Sequence, residues 1–412
     1  MKVLYFHQHF STPHGPGGIR SYGMARCLVE RGHNVIMVCG NHLLSDTGLD
    51  GRYVNGQRRG VVNGIEVVEF DLAYSNSDSF FKRLSVFLKY VFRALILVFT
   101  EKYDLVFATT TPLTAGIPGI VARWLRGKPF IFEVRDLWPE LPKAMGVIKN
   151  PVVLYMMSIL EWTSYHSANH LIALSPGIAK GIQKRGINPE SVTLIPNGCD
   201  LDIFDGLAKK WRPKGIKNSD LLVLFAGSHG PANGLSSVLD AAAELKLRER
   251  NDIKFLLVGD GKLKPSLVSR ALSEGLDNVL FHKPVNKIKL AGLMCATDLG
   301  LQTLANIPAF YYGTSPNKFF DYISAGLPVV NNYPGWLSDM ISENNCGFCV
   351  PPENGSAFAD ALEKAANDRP ALTIKGVNAK RLAVKNFDRK IQSSKWVDVM
   401  ELSFEKWKKT KL

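Results

Sequence analysis

Ser315-Pro316-Asn317-Lys318-Phe319-Phe320-Asp321-Tyr322-Ile323-Ser324-Ala325-Gly326-Leu327-Pro328-Val329-Val330-Asn331-Asn332 is the stretch on which the reading of this chain turns. Pro316 ahead of an apolar-periodic run predicts a helix start, with Ser315 as N-cap and proline at the first helical position. Phe319, Phe320 and Ile323 supply an apolar face and leave Lys318, Asp321 and Tyr322 to face something else. Gly326 ends the helix, and Leu-Pro-Val-Val reads as a short buried strand. Free N–H groups at a capped helix start, with Asn317 and an early lysine, suit an anionic ligand, above all a phosphate. Asp321 lies one turn further in, where a carboxylate accepts hydrogen bonds from ribose hydroxyls. Taken alone, the stretch equally describes an ordinary capped surface helix; its neighbours separate the two.

The chain has 412 residues, room for two domains, and an ordinary globular composition of 46% hydrophobic and 21% charged residues. Its net charge of +13 suits an anionic partner. No dense Lys/Arg block with interleaved aromatics occurs, so no nucleic acid is expected. No metal is expected either. Cys346 and Cys349 have CxxC spacing without a second pair, and His7, His9 and His14 lack acidic or cysteine company. The scattered cysteines fit a reducing cytoplasm. Val3-Leu4-Tyr5-Phe6 directly after Lys2 reads as a strand and not as the apolar region of a secretion signal. No run of 18 uncharged apolar residues suggests a membrane span.

Outward from the opening stretch, the second half alternates strands and helices from Leu221 on. Two strand ends carry phosphate-type junctions: Gly227-Ser228-His229-Gly230-Pro231-Ala232-Asn233-Gly234 after Leu221–Ala226, and Gly259-Asp260-Gly261-Lys262 after Phe255–Val258. Residues 199–219 are polar, basic and aperiodic, and mark a domain boundary. The last stretch, 388–408, is a helix with Ile391, Trp396, Val397, Met400 and Phe404 apolar.

The first half opens with a βαβ unit. Its first loop holds Gly17, Gly18 and Arg20, but it lacks a strict G-x-G-x-x-G and an acid closing the second strand, so a dinucleotide is not expected. Gly17-Gly18 still lets backbone N–H groups approach a phosphate. Residues 41–64 are polar and glycine-rich and read as a long loop. Residues 79–101 read as a helix with Lys82, Lys89 and Arg93 on one stripe. Two descriptions fit it: an amphipathic helix on an anionic membrane, or a buried helix with one wet stripe. Glu133-Val134-Arg135-Asp136-Leu137-Trp138-Pro139-Glu140 gathers charge at the end of a buried strand, where open α/β sheets keep ligands; Asp136 and Arg135 are site candidates there, and a structural salt bridge is the alternative.

With those residues in view, the chain resembles the family 4 glycosyltransferases. Leu194-Ile195-Pro196-Asn197-Gly198-Cys199-Asp200-Leu201-Asp202 is similar to their IPNGVDLD segment, Val258-Gly259-Asp260-Gly261 to their VGDG turn, Gly17-Gly18 to their amino-terminal glycine loop, and the opening stretch to their nucleotide helix. The resemblance implies an α/β GT-B fold: two Rossmann-like α/β/α domains facing a cleft, with the C-terminal helix crossing back to the N-terminal domain. It places an acceptor domain at 1–198, with the helix from about 388 to 412, and a nucleotide-sugar donor domain at 199–387. Glu-Val-Arg-Asp-Leu-Trp-Pro-Glu and Ser-Pro-Asn-Lys-Phe-Phe-Asp-Tyr look most like the WbuB-type subgroup of O-antigen or capsule L-fucosamine transferases.

What the resemblance implies about function is retaining transfer from a UDP-sugar to a polyprenyl-diphosphate-linked saccharide. It implies an enzyme on the inner face of the cell membrane, touching an anionic surface, with no cofactor and no metal. Asp136 and Lys318 are the expected catalytic residues. Donor contacts are expected from Gly17, Gly18, Arg20, Ser228, His229, Asn233, Lys262, Ser315, Asn317 and Asp321. The chain departs from the family at three positions. Gly313 stands where its E-x7-E motif has the first acid, and Ser228 and Asn233 stand where it has a phosphate-binding Arg and Lys. Positive charge for the diphosphate is then expected from Lys318, Lys262 and Arg20. Asp200-Leu201-Asp202 belongs to the IPNGVDLD segment and is not read as a metal site. Two alternatives stay open: a GT-B nucleotide-sugar 2-epimerase, and a non-catalytic partner subunit at the membrane.

Overall fold

The computed structural model describes every residue except 16, 43–45, 75–77, 79, 205–208 and 412. The chain forms two compact units. One comprises Met1–Asn197, Gly313–Ser315 and Lys390–Leu412; the other comprises Gly198–Tyr312 and Pro316–Arg389.

The first unit is built on eight strands: β1 (Lys2–Phe6), β2 (Asn34–His42), β3 (Gln57–Val62), β4 (Ile65–Tyr74), β5 (Leu105–Thr109), β6 (Phe130–Val134), β7 (His170–Ala173) and β8 (Val192–Leu194). They lie in the order β3-β4-β2-β1-β5-β6-β7-β8, all parallel except β3. Parallel strands covered on both faces read as unbroken apolar runs, and Leu105–Thr109 and Phe130–Val134 are buried at every position. Helices Phe80–Thr100, Gly116–Leu125 and Pro151–Ser167 cover one face of this sheet. Helix Arg20–Glu30 and the last helix, Arg389–Lys411, cover the other. Trp396 of that last helix is fully buried, stacked on Tyr5 at 5.7 Å and edge-on to Phe107 at 4.7 Å. Helix and sheet therefore share one core through an aromatic cluster.

The loop expected over 41–64 is corrected by β3. This strand runs antiparallel to β4 at the sheet edge and alternates exposed and half-buried positions. Arg58 pairs with Glu69 at 2.9 Å and Arg59 with Glu66 at 2.5 Å, both acids lying on β4. Edge strands are held back from aggregation by such charges, and a charged strand looks like a loop by composition.

The second unit has six parallel strands: β9 (Leu221–Ala226), β10 (Ile253–Val258), β11 (Val279–His282), β12 (Leu299–Gln302), β13 (Val329–Asn331) and β14 (Gly347–Cys349). Their order, β11-β10-β9-β12-β13-β14, is that of a doubly wound nucleotide-binding sheet. Among the described residues, no helix of either unit is long and apolar enough to cross a membrane.

Candidate functional site

In the second sheet the crossovers diverge between β9 and β12, and open α/β sheets bind ligands at the carboxyl ends of such a strand pair. Helix Asn317–Ser324 is seated there. Its Tyr322 hydroxyl accepts the Ala226 N–H at 3.0 Å, and its ring lies over Gly300 of β12, where any Cβ would come within 2.4 Å of the ring. The loop 227–234 and the turn 259–261 meet backbone to backbone beside it: the His229 N–H donates to the Asp260 carbonyl at 2.8 Å. A Cβ at Gly259 would stand 1.8 Å from the Gly227 carbonyl oxygen. Gly259→Ala is therefore expected to cost about 1–3 kcal/mol through overpacking. Urea denaturation measures it, with the loss appearing in the midpoint at unchanged slope.

Lys318 reaches inward from the first turn of this helix. Its ammonium lies 4.4 Å from the centroid of the buried Phe225 ring and donates to Asn233 Oδ1 at 2.5 Å. Asn233 is fixed in turn: its amide donates to the Ser228 carbonyl at 2.8 Å, and its own carbonyl accepts the Thr303 hydroxyl, just beyond β12, at 2.9 Å. Withdrawal from water lowers the Lys318 pKa to about 7. Among the described residues, no carboxylate lies within ion-pair distance of it. The side chain of Lys318 thus brings a cation to Asn233, the position where the resembling family carries its lysine.

Asp321 is buried, one turn on. Lys287 Nζ donates to its Oδ1 at 2.5 Å and stands 3.6 Å from Asp200, which Arg389 grips at 2.7 and 3.0 Å. Burial pushes the Asp321 pKa up, and Lys287 pulls part of the way back. Asp200 thereby serves a buried charge quartet. Lys287, Thr303 and Phe225 were missed in the sequence reading; the only available signal was a lysine at a helix start, and burial cannot be read from that.

Ser228, Lys262 and Asn317 are exposed. His229 is buried between Phe225 and Phe281, with no partner for either ring nitrogen among the described residues. Burial and Lys264 lower its pKa to about 4, so the ring is neutral.

Ser315, grouped with the first unit, corrects the capping expectation. The helix begins at Asn317, with Pro316 and not Ser315 at the N-cap position, so no side chain caps it; Ser315 is bound by Asn197 instead, whose N–H donates to the Ser315 hydroxyl at 3.2 Å and whose amide donates to the Ser315 carbonyl at 2.5 Å. Gly313 is buried, yet a Cβ there meets nothing within 4 Å. The missing acid is not excluded by space, and Gly313→Ala is expected to change the melting temperature by no more than about 2 °C. A thermal melt checks this.

In the first unit the equivalent divergence falls between β1 and β5. Gly17 and Gly18 lie in the loop after β1, Gly18 exposed. Arg20 is a correction. It is 1% exposed, binds Glu133 Oε2 at 3.0 and 2.8 Å, and donates to the Pro196 and Ile195 carbonyls at 2.6 and 2.9 Å. Every guanidinium nitrogen is used inside the unit, so Arg20 offers no charge to a diphosphate. Glu133 also takes Arg135 at 3.1 Å and Thr109 at 2.8 Å. Arg135 is the salt-bridge alternative realised. Asp136 remains half-buried at the sheet end, accepts the Thr111 hydroxyl at 3.2 Å, and has its pKa raised by burial. Among the described residues, no group of three or more His, Cys, Asp or Glu side chains is arranged to hold a metal ion.

Residues 17–198 match the model of the glycosyl transferase 4-like domain, and residues 208–382 that of the glycosyl transferases group 1. A probable glycosyltransferase of Pseudomonas aeruginosa, WbjE, is 22% identical over 309 residues, 72% of this chain and 74% of its own. The Escherichia coli UDP-Gal:alpha-D-GlcNAc-diphosphoundecaprenol alpha-1,3-galactosyltransferase is 24% identical over 314 residues, 70% of this chain and 72% of its own. The crystal structure of Anabaena HepE in complex with UDP superposes with a TM-score of 0.68 at 19% identity, covering 97% of this chain and 100% of that one.

Proposed function

We infer the reaction from one premise: this chain belongs to the family 4 glycosyltransferases of GT-B fold, its first part to the glycosyl transferase 4-like domains and its second to the group 1 transferases. It is a glycosyltransferase. The finer reading is retaining transfer of a sugar from UDP to a polyprenyl-diphosphate-linked saccharide in bacterial surface polysaccharide synthesis. The observation that carries it is Lys318: a half-buried cation held on Phe225 and Asn233, with no carboxylate partner among the described residues, at the carboxyl ends of β9 and β12. Such a cation is suited to a leaving diphosphate. The acceptor side is supported by the name of the Escherichia coli relative, and the base by the UDP in the HepE structure. For the sugar, the WbuB-type wording favours an N-acetylated 6-deoxyhexosamine such as L-FucNAc.

In this reading the bond from the sugar's anomeric carbon to the phosphate oxygen breaks. A bond to the acceptor oxygen forms on the same face, and the acceptor proton passes to the departing phosphate. Lys318 and the N–H groups opening helix Asn317–Ser324 stabilise the charge that develops on the diphosphate. Asp136 orients an acceptor or sugar hydroxyl, and Asp321 receives the ribose.

The test offers the protein UDP-sugars, including UDP-L-FucNAc, with a short-chain polyprenyl-diphosphate disaccharide, and follows product by mass and anomeric configuration. A glycosylated acceptor with the donor's configuration retained is expected. UDP-sugar converted without acceptor to an isomeric UDP-sugar, with no free UDP released, would favour the epimerase reading over transfer. Asp136→Ala is expected to lower kcat by at least about a hundredfold, the lower end of the range for an acid–base group. Full activity in that variant removes Asp136 from the mechanism.

A further inference from the structure

Three helices of the first unit carry apolar side chains on the side turned away from their own core. On Phe80–Thr100, the residues Val86, Tyr90, Ala94 and Val98 are buried against the sheet. On the outer side Leu84, Leu88, Phe92, Ile96 and Phe99 recur at helical spacing and are 37–68% exposed. Helix Pro151–Ser167 repeats the pattern: Val152, Tyr155, Met156, Ile159 and Trp162 are 42–67% exposed. Helix Gly116–Leu125 packs between these two and ends in Trp124 and Leu125, 63% and 70% exposed. A helix covering a soluble core needs one apolar face, and these have a second. Exposed apolar surface shared by adjacent helices marks an interaction site.

Charge says what covers it. Helices Phe80–Thr100 and Gly116–Leu125 contain no acidic residue, and Glu161, the acid of Pro151–Ser167, is buried against Arg185 at 2.5 Å. Cations border the apolar stripes. Lys89 is exposed beside Leu88, Arg126 lies 6.0 Å over the Phe99 ring, and Lys143 and Lys149 are exposed ahead of helix Pro151–Ser167. At the other margin Arg123 stacks on Trp407 at 4.3 Å, in the turn of the last helix that carries Lys408, Lys409 and Lys411. Arg93 does not join this rim, because it is turned over the Phe70 ring at 5.7 Å. A second copy placed on this face by a two-fold axis would set cation against cation. An apolar face bordered mainly by cations, with Asp78 taken up by Lys82 at 2.8 Å, Glu140 exposed ahead of helix Pro151–Ser167, and tryptophan and tyrosine among its own side chains, matches lipid tails beneath anionic headgroups.

We propose that the first unit docks on an anionic bilayer through the outer faces of helices Phe80–Thr100, Gly116–Leu125 and Pro151–Ser167. The two descriptions of the 79–101 segment do not exclude one another: one face of that helix is core, and the proposed docking surface on its opposite face continues across two further helices. The inference deepens the lipid-linked acceptor reading and rests on it only for why a bilayer is met.

The test uses the full chain and co-sedimentation with vesicles of phosphatidylglycerol and phosphatidylcholine against phosphatidylcholine alone. Binding to the mixed vesicles, at least tenfold weaker on the neutral ones and weakened by salt, is expected. Phe92→Ser with Trp162→Ser should reduce that binding at least tenfold and leave the melting temperature unchanged, since both side chains are exposed. Transfer to a water-soluble short-chain acceptor should persist in the variant. Equal vesicle binding by variant and parent, or equal binding to both lipid compositions, overturns the docking face. So does a concentration-dependent dimer that the variant abolishes, because it assigns the face to a second copy. If the parent binds vesicles but transfers to no acceptor, the acceptor reading fails and the docking face stands.

Discussion

Lys318→Met is expected to cut most of the stabilisation of the protein by UDP while raising its intrinsic melting temperature near pH 6.5. The two effects have one cause. The ammonium is desolvated against Phe225 and held by the neutral Asn233, so it destabilises the free protein. Methionine fills similar volume without the charge. The sign follows from the titration. Lys318 has a folded pKa lowered to about 7, against an unfolded value of about 10.4, so the unfolded chain binds more protons between those values. Parent stability should therefore rise with pH across that window. The advantage of Lys318→Met should be full below about pH 7 and fade toward about pH 10. On the ligand side, a hydrogen bond to a charged group is worth about 1.5–3 kcal/mol, roughly one to two orders of magnitude in Kd. Melting curves with and without UDP measure both. A variant less stable than the parent, yet still responsive to UDP, would make Lys318 a structural residue.

Removing Arg20 should have the opposite signature: a large loss of stability with no specific effect on nucleotide. Arg20 and Glu133 are 1% and 0% exposed, and breaking a buried pair leaves an uncompensated charge that costs about 3–5 kcal/mol. For a unit of this size that is a fall of roughly 6–20 °C. Glu133→Gln should cost the most, because it strands Arg20 and weakens Arg135 together. Arg20→Met combined with Glu133→Leu should recover part of the loss, since the two charges leave together and only Arg135 still loses a carboxylate. Burial alone would raise the Glu133 pKa, but Arg20, Arg135 and the Thr109 hydroxyl outweigh it and the net shift is downward. The pair's contribution is therefore present above about pH 4.3, the ordinary glutamate value, and is lost as the pH falls through the lower folded value. Denaturation from pH 7 to pH 3 on the parent and the double variant measures this. Additive single effects in that double variant would show that the two residues act independently.

The contrast between Lys318 and Arg20 marks where the sequence stops informing. Both are cations in the first turn of a helix, Arg20 in the first helix after β1 and Lys318 in the second after β12, and the local sequence presents both to a phosphate. One points at the carboxyl end of β9, while the other is folded back onto Glu133, 113 residues away. Nothing local distinguishes them, because the difference is made by a partner on another strand. The strands were legible for the opposite reason. Leu221–Ala226 and Phe130–Val134 are buried at every position, and such runs announce themselves. β3 did not, since its stability comes from cross-strand ion pairs with β4 and not from apolar area. Lys287 and Arg389 lie 34 and 68 positions from Asp321, and only the fold gathers them with Asp200.

The most direct measurement is the affinity of UDP between pH 7 and pH 9.5, by calorimetry, on the parent and on Lys318→Arg. If Lys318 grips the diphosphate, the parent loses affinity as the pH rises above 7, because only the protonated side chain binds the anion. The arginine variant stays charged and should show a flat profile. An affinity in the parent that does not change with pH, or no UDP binding by the folded protein, would contradict the assignment of the β9–β12 crevice as the donor site.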